Sequence, residues 1–202
     1  LHYVEQGSGP PVILIHGDGG SVYDWTMSIF DRMAQDYRTI AFDRPGLGYS
    51  ERPADGASPF VQARLIHEAA EVLAVENPVL VGHSRGGNVA LAYALSYPDD
   101  IAGAVTLAAA PYGGQVAFHN RLLAVPVLGP LLAHTVYVPF GRGAVRAGLN
   151  AAFAPEAKAP LDYVDAYAAY ELRPRQLLAH AADQVQGRAG TEWMIPRYDE
   201  IE

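Results

Sequence analysis

Pro78-Val79-Leu80-Val81-Gly82-His83-Ser84-Arg85-Gly86-Gly87 is the stretch on which the reading of this chain turns. Four apolar residues lead into a serine with glycine two places before it and two after, and a helix-like stretch, 88–96, follows. Buried strand, Gly-x-Ser-x-Gly, then helix is the pattern of a nucleophile held on a strained turn. Both glycines are expected to be obligatory, because side chains there would strike the neighbouring strand and helix. The turn lifts the Ser84 hydroxyl clear of the sheet and puts the next N–H at the start of a helix, facing any oxyanion that forms. The composition predicts roughly 0.07 chance matches to such a pattern in a chain of this length, so the motif is specific.

Working outward, strand and helix patterns alternate. Residues 1–6 alternate weakly and end at Gly7-Ser8-Gly9-Pro10. Residues 12–15 and 38–42 are apolar runs of the kind covered on both faces. Residues 22–34 have helical spacing through Trp25, Ile29 and Met33. Residues 60–75 form an amphipathic helix, with Val61, Leu65, Ala69, Val72 and Leu73 on its apolar stripe. Residues 101–109 read as a further buried strand. Strand–loop–helix repeated in this way predicts right-handed crossovers and a mostly parallel sheet flanked by helices. From Gly113 the rhythm changes, and 116–182 carries helical patterns rich in Ala and Leu, broken by prolines, with no strand.

Composition narrows the function. The 202 residues are half hydrophobic, enough for one compact domain or a core with an insertion. A net charge of −8 without a basic cluster argues against a nucleic-acid partner. With no cysteine there is no disulfide, thiolate chemistry or Cys-ligated zinc. No targeting segment is visible, and the compartment is left open with the cytoplasm as default. The most apolar stretch, 122–138, contains Pro126, Gly129, Pro130 and His134 and is too short and broken to span a membrane.

A second loop, His16-Gly17-Asp18-Gly19-Gly20, follows the first buried strand. Its glycines let the backbone approach a bound group. A dinucleotide reading of Gly17-x-Gly19 fails because Val22 stands where a third glycine is needed. A third motif, Asp43-Arg44-Pro45-Gly46-Leu47-Gly48-Tyr49-Ser50, follows the next strand. Taken in order, these three motifs resemble the α/β-hydrolase fold superfamily. More narrowly they resemble its branch with a helical cap, which includes esterases, C–C bond hydrolases, enol-lactonases, haloalkane dehalogenases and epoxide hydrolases.

The resemblance implies an α/β-hydrolase core over residues 1–111, an all-helical cap over 112–197, and the start of a return to the core over 198–202, with the sheet incomplete on its C-terminal side. It implies that Ser84 is the nucleophile. The backbone N–H groups of Arg85 and Asp18 would be the oxyanion donors, with His16, Gly17, Gly82, His83 and Gly86 supporting them. Asp43 and Arg44 match a structural turn. Family members that act on halides or epoxides generally carry aspartate at the elbow, so a serine favours acyl transfer. In the family the catalytic acid and histidine follow later strands. Here Ala110-Pro111 stands where some relatives carry the acid, and the chain reads as a fragment lacking both groups. His2, His67, His119, His134 and His180 each read as a surface or packing residue.

The expected activity is therefore hydrolysis of an ester or related carbonyl compound, with no metal and no cofactor. The expected partner is a small apolar-to-amphipathic carbonyl substrate roofed by 124–138 with Tyr137, Phe140 and Phe153. A C–C hydrolase or enol-lactonase is the nearest alternative, and a non-catalytic ligand-binding protein the alternative of another class. Tyr163, Tyr167 and Tyr170 share one helix face and read as a packing stripe.

Overall fold

A computed structural model describes residues 1–155 and 158–201. Five strands form one sheet: β1 (Tyr3–Gln6), β2 (Pro11–Ile15), β3 (Arg38–Phe42), β4 (Val79–His83) and β5 (Gly103–Leu107). Their order is β1-β3-β2-β4-β5. β1 runs antiparallel to β3, and every other pair is parallel, with Ile13 opposite Ile40 on one side and Leu80 on the other.

Alternation along the strands sorts the core into two layers. Ile13, Ile15, Ile40, Phe42 and Leu80 face α3 (Pro59–Val72) and α4 (Arg85–Ser96), meeting Ala63, Ile66, Ala70, Val89 and Tyr93. Val12, Leu14, Ala41 and Val81 face the opposite side, where α1 (Tyr23–Thr26) and α2 (Phe30–Met33) supply Trp25 and Phe30. Every strand end that feeds a motif loop lies at one edge of this sandwich, where open α/β sheets bind ligands.

Beyond β5 the described chain is helical. The segments are α5 (Phe118–Leu123), α6 (Leu128–Leu132), a π turn (Ala133–Tyr137), α7 (Val138–Phe140), α8 (Arg142–Ala152), α9 (Leu161–Glu171), α10 (Pro174–Val185) and α11 (Arg188–Met194). No helix among the described residues is long and apolar enough to cross a membrane.

Three expectations need correction. The single helix over 22–34 is two short ones, because the Ser28 hydroxyl donates to the carbonyls of Asp24 and Trp25 and competes with the helical ladder. The buried face of α3 is Gln62, Ala63, Ile66 and Ala70, while Val72 is 85% exposed. Counting apolar residues misplaced the face because Gln62, a polar residue, belongs to the interior and is hydrogen-bonded there. β5 is not buried: Val105 and Leu107 are 45% and 40% exposed, since β5 pairs only with β4. Residues Ile195–Glu200 form a 3-10 turn that contains Pro196, and Tyr198 packs against the core; Glu202, the last residue of the return expected over 198–202, lies outside the described residues.

Candidate active site

Ser84 sits between the last residue of β4 and the first of α4 with φ +51° and ψ −119°. A side chain at positive φ is strained, and the strain persists only where the surroundings enforce it. They do. The Ser84 N–H donates to Leu107 O at 2.8 Å, tying the turn to β5. A Cβ on Gly82 would lie 2.6 Å from the Gly87 Cα, and one on Gly86 would lie 2.6 Å from the His16 carbonyl oxygen and collide with that of Ile15. The elbow is thus wedged between β2 and the first turn of α4. Arg85 is the first residue of α4, where no preceding helical carbonyl claims its N–H.

The His16–Gly20 loop packs against the elbow. A Cβ on Gly17 would lie 3.1 Å from the Ser84 Cβ and 3.0 Å from the His83 ring. His16 is fully buried. Its Nε2 accepts the Arg44 N–H at 2.9 Å, so the ring proton is on Nδ1, which donates to Gly17 O at 2.9 Å. Burial, and then the Arg44 charge, push its pKa down to about 3. Burial likewise lowers that of His83, which ends β4. His16 is therefore a neutral strut. Asp43 is a second strut: it accepts N–H bonds from Val22 at 2.8 Å and Tyr49 at 2.9 Å and pairs with His2 Nδ1 at 2.7 Å.

Arg44 of the structural turn, Tyr167 of the tyrosine stripe and Gln176, which the sequence reading passed over, complete the loop. The Arg44 guanidinium, fully buried, donates to His16 O at 3.0 Å and Gly17 O at 2.9 Å. Tyr167 O–H donates to Asp18 O at 2.9 Å, and Gln176 Nε2 donates to Gly19 O at 2.8 Å. The carbonyls of Gly17, Asp18 and Gly19 are thus each held by a side-chain donor. The tyrosine stripe is thus more than packing. Besides Tyr167, the Tyr163 hydroxyl donates to Asp24 Oδ1 at 3.3 Å and that of Tyr170 to the Tyr49 hydroxyl at 3.2 Å. Its signal in the sequence was the shared face; what the hydroxyls would meet was not readable from it.

The Asp18 carboxylate lies beside Arg85 Nε at 3.2 Å and Arg44 Nη2 at 3.4 Å and accepts from Gln184 Nε2. Burial alone would raise its pKa, but the charges of His180, Arg85 and Arg44 hold it below the usual carboxylate range. Asp18, Ser84, Arg85, Gln184 and Arg188 border a small pocket of about 220 Å³. No histidine lines it among the described residues. Nor are three or more His, Asp or Glu side chains grouped there to hold a metal.

A larger cavity of about 650 Å³ lies between α5, α8, α9 and α10. Tyr137 borders it, but the roof expected from 124–138 is largely on the surface: Val127, Leu131 and Phe140 are 83%, 57% and 78% exposed. Leu123 and Ala133 turn inward instead, packing on Leu177 and Ala181 of α10. At one end of the cavity His180 Nδ1 pairs with Glu171 Oε1 at 2.7 Å. His180 was read as surface or packing; nothing in its neighbours along the chain marks this pairing.

Burial would lower the His180 pKa, but the Glu171 charge and hydrogen bond, backed by Asp18 and Asp183, outweigh it and raise it to about 9. A histidine raised from 6.5 stabilises the fold fully below its unfolded value and loses that stabilisation as pH rises through 9. Burial raises the pKa of Asp24 to about 7, so the penalty for ionising it in the fold is almost fully developed by that pH and adds little further slope above it. Urea unfolding should therefore show stability falling by about 2–3 kcal/mol between pH 7 and 9. His180→Gln should remove most of the slope; a flat profile in the unsubstituted chain would contradict the assignment.

Comparison with known proteins agrees with this architecture. A family model for the alpha/beta hydrolase fold matches residues 10–130. A 2-hydroxymuconate semialdehyde hydrolase of Pseudomonas putida is 43% identical over 101 residues, 48% of this chain and 35% of that protein. A soluble epoxide hydrolase of Corynebacterium sp. (strain C12) is 35% identical over 99 residues, 49% of this chain and 34% of that protein. The chain spans about a third of the length of these curated relatives. Among solved structures, Cfl2 from Burkholderia cenocepacia superposes with a TM-score of 0.80 at 24% identity, covering 100% of this chain and 71% of Cfl2. That likeness concerns the fold alone; with the family match over more than half of its residues, the chain belongs to the alpha/beta hydrolase fold family.

Proposed function

We propose that the chain carries the nucleophile and oxyanion half of a serine hydrolase, acting on an ester or related carbonyl substrate through an acyl-enzyme at Ser84. The helices from α5 onward are its cap. The observation that carries this reading is the positive φ of Ser84, enforced by glycines on both sides. The hydroxyl oxygen attacks the carbonyl carbon, and the N–H groups of Arg85 and Asp18 receive the developing oxyanion. Preorganised donors of this kind contribute about 3–4 kcal/mol each to the transition state. Gly17, Gly82 and Gly86 permit the close approach, and His16 and His83 support it. A hydroxyl in place of a carboxylate favours acyl chemistry over epoxide opening. The acid and histidine that activate Ser84 are supplied from outside these 202 residues, in keeping with a Ser84 pocket whose described lining has no histidine.

One specific observation favours a second reading, a C–C bond hydrolase: the likeness to the Pseudomonas putida 2-hydroxymuconate semialdehyde hydrolase over the core. Both readings use Ser84, and comparing p-nitrophenyl butyrate with 2-hydroxymuconate semialdehyde as substrates for the longer protein separates them.

The common part is tested by labelling with a fluorophosphonate. Ser84 should label slowly, labelling should accelerate with added imidazole, and Ser84→Ala should abolish it. Labelling that persists in Ser84→Ala would reject the nucleophile. Rapid labelling indifferent to imidazole would mean that a base is already present within this chain.

A further inference from the structure

The 650 Å³ cavity is apolar over most of its wall, through Leu123, Val145, Leu149, Leu172 and Leu177, and charged at one end. That end is His180 with Glu171, on α10 and α9. Nδ1 of the ring is taken by Glu171. Nε2 has no hydrogen-bond partner among the described residues, although the ring borders the cavity. The other Glu171 oxygen, Oε2, is buried without a partner among them, so this carboxylate relies on His180 alone.

We propose that this end of the cavity binds the carboxylate of a small amphipathic ligand, with His180 Nε2–H donating to one of its oxygens. The inference names a substrate class for the Ser84 site and takes its catalytic meaning from that reading.

The His180–Glu171 pair stands apart from the chain Arg85–Asp18–Arg44–Asp183–Arg52, with one cation against one carboxylate. An imidazolium held by one carboxylate keeps a second donor for another, and a charge-assisted bond of this kind is about twice as strong as a neutral one. The place in the fold also matters. His180 and Gln184 are four residues apart on α10, hence on one face and about 5.4 Å apart along the axis. Gln184 touches Asp18 and borders the Ser84 pocket. The anchoring end of the cavity is therefore the end next to the Ser84 pocket, and the apolar part of a ligand held there lies along Leu123, Val145, Leu149, Leu172 and Leu177. The bland alternative is that the pair only pins α9 to α10; that role needs Nδ1 and leaves Nε2 unused.

The test uses binding and not turnover. Ser84→Ala chain is titrated at pH 7 with hexanoate and, separately, with hexanamide of the same length, following His180 Nε2 by 1H–15N NMR. Hexanoate should bind about tenfold more tightly than hexanamide and shift the Nε2 resonance. His180→Gln in the same background should lower hexanoate to the level of hexanamide and leave hexanamide unchanged. Equal affinities, a preference that survives His180→Gln, or hexanoate binding that leaves Nε2 unmoved would each overturn the proposal. If His180→Gln does not fold, the affinity ratio and the Nε2 shift in the histidine-bearing chain decide alone. No nucleophile is present throughout, so failure here is distinct from failure of the Ser84 reading.

Discussion

Asp183→Ala is expected to lower the unfolding free energy by about 3–5 kcal/mol, because it strands a charge in the interior. Asp183 and Arg44 both have fully buried side chains and meet at 2.7 Å. The other Asp183 oxygen takes Arg52 at 2.7 Å and Gln62 Nε2 at 3.2 Å. Without the carboxylate, the Arg44 guanidinium keeps its bonds to Gln62, His16 and Gly17, but its remaining countercharge is Asp18, at the longer distance of 3.4 Å and shared with Arg85. The cost is that of an uncompensated buried charge and not the net worth of the pair. Asp183→Asn, which keeps the shape, should cost less. The double change Arg44→Met with Asp183→Leu should cost much less than the two single changes added together. Urea unfolding of the unsubstituted chain, Arg44→Met, Asp183→Leu and the double change measures this cycle; a loss below about 1 kcal/mol in Asp183→Ala, or simple additivity, would show that the pair is not what secures α10 to the core.

The same pair marks the boundary of what the sequence could say. Strands β2, β3 and β4 were legible because each is a run of residues buried on both faces, and a local pattern suffices for that. The elbow was legible because its constraint is also local, two glycines around one serine. Arg44 was legible only as part of a turn. Its partner Asp183 is 139 residues away on a helix, where an aspartate between alanine and glutamine looks like any solvated residue. Gln62 misled the reading of α3 for the same reason: a polar side chain counts as outward-facing until its partners are known. Tyr167, Gln176 and His180 do their work through tertiary contacts with loops more than a hundred residues earlier or with a neighbouring helix, and no spacing rule encodes those.

Gly86→Ala should destabilise the chain by about 3 kcal/mol or more, at the upper end of overpacking costs. The added methyl would meet backbone, the carbonyl oxygens of Ile15 and His16, and neither can move without shifting the end of β2. That shift carries the His16–Gly20 loop with it and so displaces Asp18, whose N–H is one of the two proposed oxyanion donors. A displacement of about 1 Å at such a site costs roughly 100-fold in rate. Fluorophosphonate labelling in the presence of imidazole should therefore slow far more than the loss of folded protein explains. The same chemical change at Gly148 gives the opposite sign. Gly148 lies within α8, where an added Cβ meets nothing within 4 Å, and Ala there should raise stability by roughly 0.5–1 kcal/mol by restricting the unfolded chain and favouring the helix. Labelling of Gly148→Ala should match that of the unsubstituted chain. If thermal unfolding ranked the two variants together, glycine would be required at the elbow for a reason other than space. If Gly86→Ala lost stability but labelled normally, the loop would not depend on the wedge between β2 and α4.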